Sequence, residues 1–336
     1  MKLEELGEFG LIERIAVKVA RKQGVRIGIG DDAAAIAPTA GFELLITTDM
    51  LVEGVHFDLT LSDPFTLGKK SLAVNLSDIA AMGGVPRNFL LSLAVPEYIS
   101  VEFLDNFVSG MLERGDQFGA NLIGGDTSSS CQGMIISVTV MGEQLPGLIV
   151  RRSGAEPGDL ICVTGTLGDS ALGLMQLRAG IREGAAVARH LDPFPRVLEA
   201  MKLAEAGPPS AMIDISDGLL ADLGHILELS GVGARINLDK LPLSGYYREN
   251  QPRFIADAFL LPLSGGEDYE LLFTVHPGKL SAIQSSLKET GTLATIIGEI
   301  TASGGISIYT ATGDEYFPEQ MGYNHFSSDK QDRHSI

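Results

Sequence analysis

The chain has 336 residues, more than a single hydrophobic core usually serves, so two domains of ordinary size are expected. Hydrophobic residues at 45% and charged ones at 20% describe a globular chain rather than a disordered one. Its 43 acids against 25 bases leave a net charge of −18, which repels nucleic acid and anionic lipid; with no basic patch in the sequence, both are set aside as partners.

Residues Glu8 to Lys22 carry Leu11, Ile12, Ile15, Ala16 and Val19 at the spacing of one buried helical face. A Gly-rich turn follows (Gly28 to Asp32), then a strand at Leu44 to Thr48 and a helix over Thr66 to Met82 that stops at Gly83-Gly84. Strand Phe89 to Val95, helix Val101 to Phe118, a short strand Asn121 to Ile123 and strand Met134 to Met141 complete the first half. The stretch Gly142 to Asp159, rich in Gly, Pro and charge, marks a boundary, so domains are expected at 1–145 and 146–326, with a disordered polar tail at 327–336. The second half opens with strand Leu160 to Thr164, a glycine turn and a helix from Ala171. It continues through strand Met212 to Ile215, helix Gly218 to Ser230, strands Ala234 to Leu238 and Leu271 to Val275, helix Leu280 to Thr290, and strands Ala294 to Ile300 and Ile306 to Tyr309. The expected class is mixed α/β, without a short-period repeat.

Cys131 and Cys162 lie in different segments with no CxxC spacing, as buried thiols of a reducing compartment would, and the cytoplasm is the expected location. The acidic start, Met1 to Glu8, and the lack of an uncharged apolar run near the ~20 residues of a membrane helix predict neither export nor insertion.

The chemistry is carried by acids. Gly30-Asp31-Asp32, Thr47-Thr48-Asp49, Asn75-Leu76-Ser77-Asp78, Gly124-Gly125-Asp126-Thr127 and Asp214-Ile215-Ser216-Asp217-Gly218 read as Asp-bearing turns that a fold could gather. One such Asp alone is an ordinary turn or N-cap residue, but the set together is not. Two carboxylates ~4 Å apart near a surface repel by roughly 4 kcal/mol, so their gathering implies shifted pKa values or bound cations. Oxygen ligands without His or Cys pairs select Mg²⁺, Mn²⁺ or Ca²⁺ over Zn²⁺, and scattered aspartates suit a Mg²⁺ ion shared with a nucleotide's phosphates. Gly165-Thr166-Leu167-Gly168-Asp169 lacks the lysine of a P-loop, and the protein-kinase motifs are missing. Gly28, Gly30 and Ala33 loosely fit a dinucleotide fingerprint, but Asp31-Asp32 would repel a pyrophosphate and Pro38 leaves little room for the helix.

His56 follows Asp49 closely enough to edge the same site, while His190, His225, His276, His325 and His334 have no companion spacing and read as structural or solvated. Arg151-Arg152 is either a phosphate clamp or a solvated pair. Lys69-Lys70 reads as a solvated helix face. Gly265-Gly266-Glu267-Asp268-Tyr269-Glu270 sets three acids beside an apolar strand, more than a turn needs. With no Trp, a flat ligand must stack on Phe or Tyr, and Tyr323 and Phe326 are candidates if they are not core residues.

In this order the motifs resemble the thiamine-monophosphate kinase family, from Gly7-Glu8-Phe9 through Gly322-Tyr323-Asn324-His325-Phe326. The most telling strings are Gly28-Ile29-Gly30-Asp31-Asp32, Asn75 through Gly83, Asp214 through Leu219 and Gly265 through Leu271. The last separates this branch from the aminoimidazole-ribonucleotide and selenophosphate synthetases, which share the Asp-rich ATP site. The resemblance implies transfer of the γ-phosphoryl of ATP to thiamine monophosphate, the last step of thiamine diphosphate biosynthesis. It also implies a two-domain fold, with an N-terminal domain that forms a helix-flanked β-barrel with its twin in a homodimer and a C-terminal α/β sandwich. By motif position, Asp32, Thr47, Thr48, Asp49, Asp78, Asp126, Asp214 and Asp217 would hold Mg²⁺. Gly125, Asp126, Arg152 and Ser216 would meet ATP, and His56, Glu267 and Tyr323 the thiamine phosphate. Gln320 and Met321 stand where the family often has an aromatic residue.

The nucleophile would be a phosphate oxygen, mostly ionised near pH 7 because its second pKa is about 6. Neither a covalent nucleophile nor a general base is then required, and direct in-line transfer is expected. The alternatives are a sister synthetase with another acceptor and a non-catalytic sensor of ATP or thiamine phosphates.

Overall fold

The structure, a computed structural model, describes residues 3–19 and 24–323. Residues 20–22 of the first expected helix, the tail at 327–336, and Asn324, His325, Phe326 and His334 lie outside the described residues. Contacts divide the chain into two units that change over between Pro146 and Gly147, with Ala80–Gly83 grouped in the second.

The first unit contains α1 (Leu3–Lys18), β1 (Val25–Ile27), β2 (Ala35–Ile36), β3 (Glu43–Val52), α2 (Pro64–Ala81), β4 (Val85–Pro96), α3 (Val101–Phe118), β5 (Asn121–Ser130) and β6 (Ile135–Gln144). Its main sheet has four strands in the order β3-β6-β4-β5, with β4 and β5 parallel and the other pairs antiparallel. Helix α3 starts where Ser100 accepts the N–H of Phe103 and ends at Gly119 in the left-handed conformation, φ 72°. Phe89, Leu91, Leu93 and Val95 of β4 are all buried, and a Cβ on Gly115 of α3 would sit 3.3 Å from the Phe89 ring and 3.6 Å from Leu72 of α2. The two helices touch through glycine: a Cβ on Gly110 would fall 1.9 Å from the Phe65 carbonyl oxygen, and one on Gly68 2.0 Å from that of Phe107.

Three of the expected turns are not turns. Thr47-Thr48-Asp49 lies within β3, Asn75 to Asp78 within α2, and Gly124 to Thr127 within β5. Gly, Ser and Asp are poor strand formers, yet β5 pairs residue by residue with β4 from Leu90↔Gly124 to Pro96↔Ser130, and that pairing overrides local preference. The buried polar residues of α2 are satisfied along the helix, Ser71 Oγ donating to the Leu67 carbonyl at 2.7 Å and Asn75 Nδ2 to that of Ser71 at 3.3 Å. Lys70 is 3% exposed and Lys69 pairs with Glu113, so neither is the solvated residue expected. Of the cysteines expected to be buried, Cys131 is exposed and Cys162 is buried.

The second unit contains β7 (Leu160–Thr164), α4 (Asp169–Arg178), α5 (Ala185–Leu191), α6 (Val197–Ala206), β8 (Ala211–Asp214), α7 (Leu219–Ser230), β9 (Gly233–Asn237), α8 (Gly245–Asn250), α9 (Leu260–Ser264), β10 (Leu271–Val275), α10 (Leu280–Lys288), β11 (Ala294–Thr301) and β12 (Gly305–Tyr309). Six strands run in the order β12-β9-β11-β7-β10-β8, antiparallel except for β12 against β9. One core joins Ile161, Val163, Ile213 and Leu272 of the sheet to Leu219, Leu220, Leu223, Ile226 and Leu227 of α7. No helix among the described residues is long and apolar enough to cross a membrane.

Gly110→Ala is expected to lower stability by about 1–3 kcal/mol, because the methyl group must push α2 and α3 apart. A fall in thermal midpoint measures it, and an unchanged midpoint would show that the glycine contact is not needed.

Candidate functional site

In the first unit the strand period divides the expected ligands. Thr47 and Asp49 face α2: Thr47 Oγ1 donates to Asp78 Oδ2 at 2.5 Å, and the Asp49 N–H donates to Asn75 Oδ1 at 3.0 Å. Residues 75 and 78 lie on one helical face, so α2 holds the otherwise unpaired edge of β3 with an amide and a carboxylate. Burial, with the charge of Asp78 added, pushes the Asp49 carboxyl up to about 7.

Thr48 points to the other face, where its hydroxyl donates to the Val138 carbonyl at 3.2 Å and accepts from Thr139 Oγ1 at 3.0 Å. Asp126 belongs to that outer face too, because Met50, Ser137, Ser92 and Asp126 share one register row, whereas Asp49 shares its row with Val138, Leu91 and Gly125. Three strand spacings, about 14 Å, separate β3 from β5. Within this unit, Asp126 and Thr48 are therefore not gathered with Asp49 and Asp78. Asp32 is exposed in a turn closed by Asp31 Oδ1 accepting its N–H. A Cβ on Gly28 of that segment would lie 4.0 Å from the Ile123 carbonyl, placing it against the free edge of β5. His56 folds back on the end of β3, its Nδ1 accepting the Val52 N–H at 3.0 Å, which leaves Nε2 as the ring's donor nitrogen.

A cleft of about 1070 Å³ opens in this unit between the kink of α1 at Gly7, the Pro96–Ser100 turn and the Thr127–Gln132 end of β5. Thr127, immediately after Gly125-Asp126, lines it with a buried hydroxyl that has no hydrogen-bond partner among the described residues.

In the second unit the Asp214–Gly218 turn joins β8 to α7, and here the acids do converge. The Ile215 N–H donates to the Glu270 carbonyl, its own carbonyl accepts the Tyr269 N–H, and the Ser216 carbonyl accepts the Glu267 N–H, all at 2.8–2.9 Å. The Asp217 carbonyl accepts the N–H of Tyr323 at 2.9 Å, so Tyr323 docks on the turn through its backbone. Arg152 is exposed beside this edge, since the Arg151 carbonyl accepts the N–H of Met212 in β8, and no carboxylate among the described residues pairs with it.

The three acids of the Gly265–Glu270 segment have different tasks. Glu270, wholly buried, accepts from Arg189 Nη2 (2.6 Å), Arg196 Nη2 (2.6 Å), Arg196 Nε (2.7 Å) and Thr164 Oγ1 (2.7 Å). Burial alone would raise its pKa, but the two guanidinium groups and the hydroxyl hold it below the usual range. Asp268 caps α4, accepting the N–H of Gly168 at 2.7 Å and of Ser170 at 3.2 Å. Only Glu267 stays half-exposed, 3.1 Å from His190 Nδ1, which also lies 3.2 Å from Ser170 Oγ. Glu267 and Tyr269 hold positive φ, 66° and 50°, a strained backbone at the residue preceding each of the buried anchors Asp268 and Glu270. His190 was thus missed from sequence, lacking any spacing signal, as was Asp222, buried beside Asp214 and Asp217.

Among the described residues no three His, Cys, Asp or Glu side chains form a closed metal cage. Facing pairs of acids instead suit an ion completed by phosphate oxygens and water.

Two family models match the chain: AIR synthase related protein, N-terminal domain, over residues 30–144, and AIR synthase related protein, C-terminal domain, over residues 156–311. Thiamine-monophosphate kinase of Escherichia coli (strain K12) is 39% identical over 330 residues, spanning 96% of this chain and 99% of its own. The crystal structure of thiamine-monophosphate kinase from Stenotrophomonas maltophilia K279a matches with a TM-score of 0.81 at 38% identity, covering 90% of this chain and 96% of its own. That of AaThiL complexed with AMPPCP and TMP matches at 0.76 and 35% identity, covering 97% and 99%.

Burial pushes the Asp268 carboxyl up to about 7 despite two N–H donors and Arg189. An unfolded aspartate titrates near ~3.9, so the folded state holds the extra proton between these values, and the stability it contributes is full below about pH 4 and lost as pH rises through 7. Asp268→Asn is therefore expected to lower the thermal midpoint clearly at pH 5 and less at pH 8. A deficit independent of pH would contradict this.

Proposed function

Since the chain belongs to the AIR synthase related family and, within it, to the thiamine-monophosphate kinases, we propose that it transfers the γ-phosphoryl group of ATP to thiamine monophosphate, giving thiamine diphosphate and ADP. The observation that carries this reading is the facing pair Asp49 and Asp78 in a chain so related along its whole length: a buried carboxylate set against another is the environment a phosphate-bridging cation relieves. We assign Mg²⁺ to Asp49 and Asp78 in the first unit and to Asp214 and Asp217 in the second, with Asp32, Thr47, Thr48 and Asp126 as further ligands. When bound, Mg²⁺ neutralises the crowded phosphate oxygens and the charge of the transferring group.

The chain's own residues orient and shield. The acceptor phosphate is already an anion near pH 7, so no side chain need take a proton from it. Arg152 presents an exposed fork for ATP in the second unit, where Ser216 is assigned to ATP as well, and Gly125 and Asp126 of β5 are assigned to ATP in the first. The hydroxyl-lined cleft that continues from Asp126 suits the nucleoside. Glu267, a carboxylate, suits the cationic thiazolium of thiamine, and Tyr323 in the same unit and His56 Nε2 in the first are assigned to the same substrate.

The outer face of the first sheet supports a homodimer. Leu44, Ile46 and Met50 on it are 41%, 63% and 58% exposed, and a second copy would cover this apolar area and the face that carries Thr48 and Asp126. Two free cysteines agree with a cytoplasmic location.

Purified protein with ATP, Mg²⁺ and thiamine monophosphate is expected to form thiamine diphosphate, resolved by chromatography, and to form none with free thiamine or with excess EDTA. Asp49→Asn and Asp78→Asn should each lower the rate by more than about 10²-fold, as loss of one preorganised electrostatic group does. Near-normal rates in both variants would reject the site. Ile46→Asp is expected to give a monomer by light scattering, and a wild-type monomer would remove the dimer from the reading.

A further inference from the structure

Asp222 lies in the first turns of α7, is 2% exposed, and its Oδ2 accepts two backbone N–H groups, from Ser216 at 3.0 Å and Asp217 at 3.1 Å. The charges around it are those of Asp214 and Asp217, and no cation among the described residues faces it. A carboxylate in such company is disfavoured electrostatically, so its two hydrogen bonds must be what keep it there.

Those bonds complete a pattern. The remaining N–H and C=O groups of Ile215, Ser216 and Asp217 go to Glu270, Tyr269, Glu267 and Tyr323, all distant in sequence, so every backbone group of the three residues has a partner outside the turn. The Ser216 and Asp217 N–H groups are consequently spent on Asp222 and cannot cradle a phosphate, and the turn meets its ligands through side chains.

We propose that Asp222 is a positioning residue of the phosphoryl-transfer site: as a double hydrogen-bond acceptor it fixes Ser216 and Asp217 so that the Ser216 hydroxyl and the Asp217 carboxylate are aimed at the metal–nucleotide substrate, which Asp222 itself does not touch. The inference rests on the kinase reading for its function and on the geometry alone for the hold it exerts. It acts as an acceptor and not as a charge, because the oxygen of an amide can take the same two N–H groups.

Asp222→Ala and Asp222→Asn separate these roles, read by Mn²⁺ binding in the presence of ATP, by hydrogen exchange of the Ser216 and Asp217 amides, and by turnover. The Ala variant should weaken Mn²⁺ binding by about 10- to 100-fold, as loss of a group that orients a metal ligand does, and should expose both amides to exchange. The Asn variant should restore amide protection, and most of the Mn²⁺ affinity and turnover. An Asn variant as impaired as Ala would show that the charge matters and overturn the proposal, as would an Ala variant that binds Mn²⁺ normally. Should the Ala variant fail to fold, the Asn variant decides alone: retained Mn²⁺ affinity supports the acceptor role, and a loss of more than about tenfold refutes it. Wild-type protein that binds Mn²⁺ with ATP yet makes no thiamine diphosphate would end the kinase reading while leaving the binding test of Asp222 in force.

Discussion

Like charges repel wherever a fold sets them near one another, and each unit of this chain does so: beyond the effect of burial, Asp78 raises the pKa of Asp49 in the first, and Asp214 and Asp217 raise that of Asp222 in the second. Backbone, hydroxyl and amide groups help to hold both: Asn75 takes the Asp49 N–H, Thr47 donates to Asp78, and the Asp214–Gly218 turn is bonded from α7, from the Glu267–Glu270 segment and from Tyr323. The rest of the architecture serves that hold, with α2 and α3 locked at Gly68 and Gly110 and the second sheet locked by its antiparallel register.

The Gly265–Glu270 segment divides support from function at single-residue resolution. Glu270 is buried against two arginines from α5 and the start of α6, Asp268 closes the N-terminus of α4, and the residue preceding each anchor, Glu267 and Tyr269, takes positive φ. Alternate residues are thus drawn inward while Glu267 is turned toward solvent and His190. Three acids in one short string are not three ligands. Two of them keep the third in place.

In the first unit the same division is made by the pleat. Asp49 and Thr47 face the helices, while Thr48 and Asp126 face outward with Ile46 and Met50. A set of acids read as one pocket is therefore distributed, within this unit, over two faces of one sheet.

Much of this was legible in the order of residues. Continuous apolar runs gave β7 at Leu160–Thr164 and β10 at Leu271–Val275 with their ends, because strands buried on both faces need nothing else. The span of α3, Val101–Phe118, was legible as well, and the structure closes its ends with Ser100 and Gly119, which is local chemistry. The family was legible too, because the resemblance carried by the order of the motifs agrees with a relative 39% identical over 330 residues. What tertiary structure alone decided was where those donors point. Gly124-Gly125-Asp126-Thr127 becomes a strand only because β4 lies alongside, and Lys70 is buried only because α2 is covered. His190 meets Glu267, and Asp222 seizes two N–H groups of a turn, although an acid in the first turns of a helix needs no reason beyond the helix dipole. Side-chain chemistry belongs to the residue and can be read from the sequence, whereas the partner of a hydrogen bond or a charge belongs to the pairing of segments far apart in the chain.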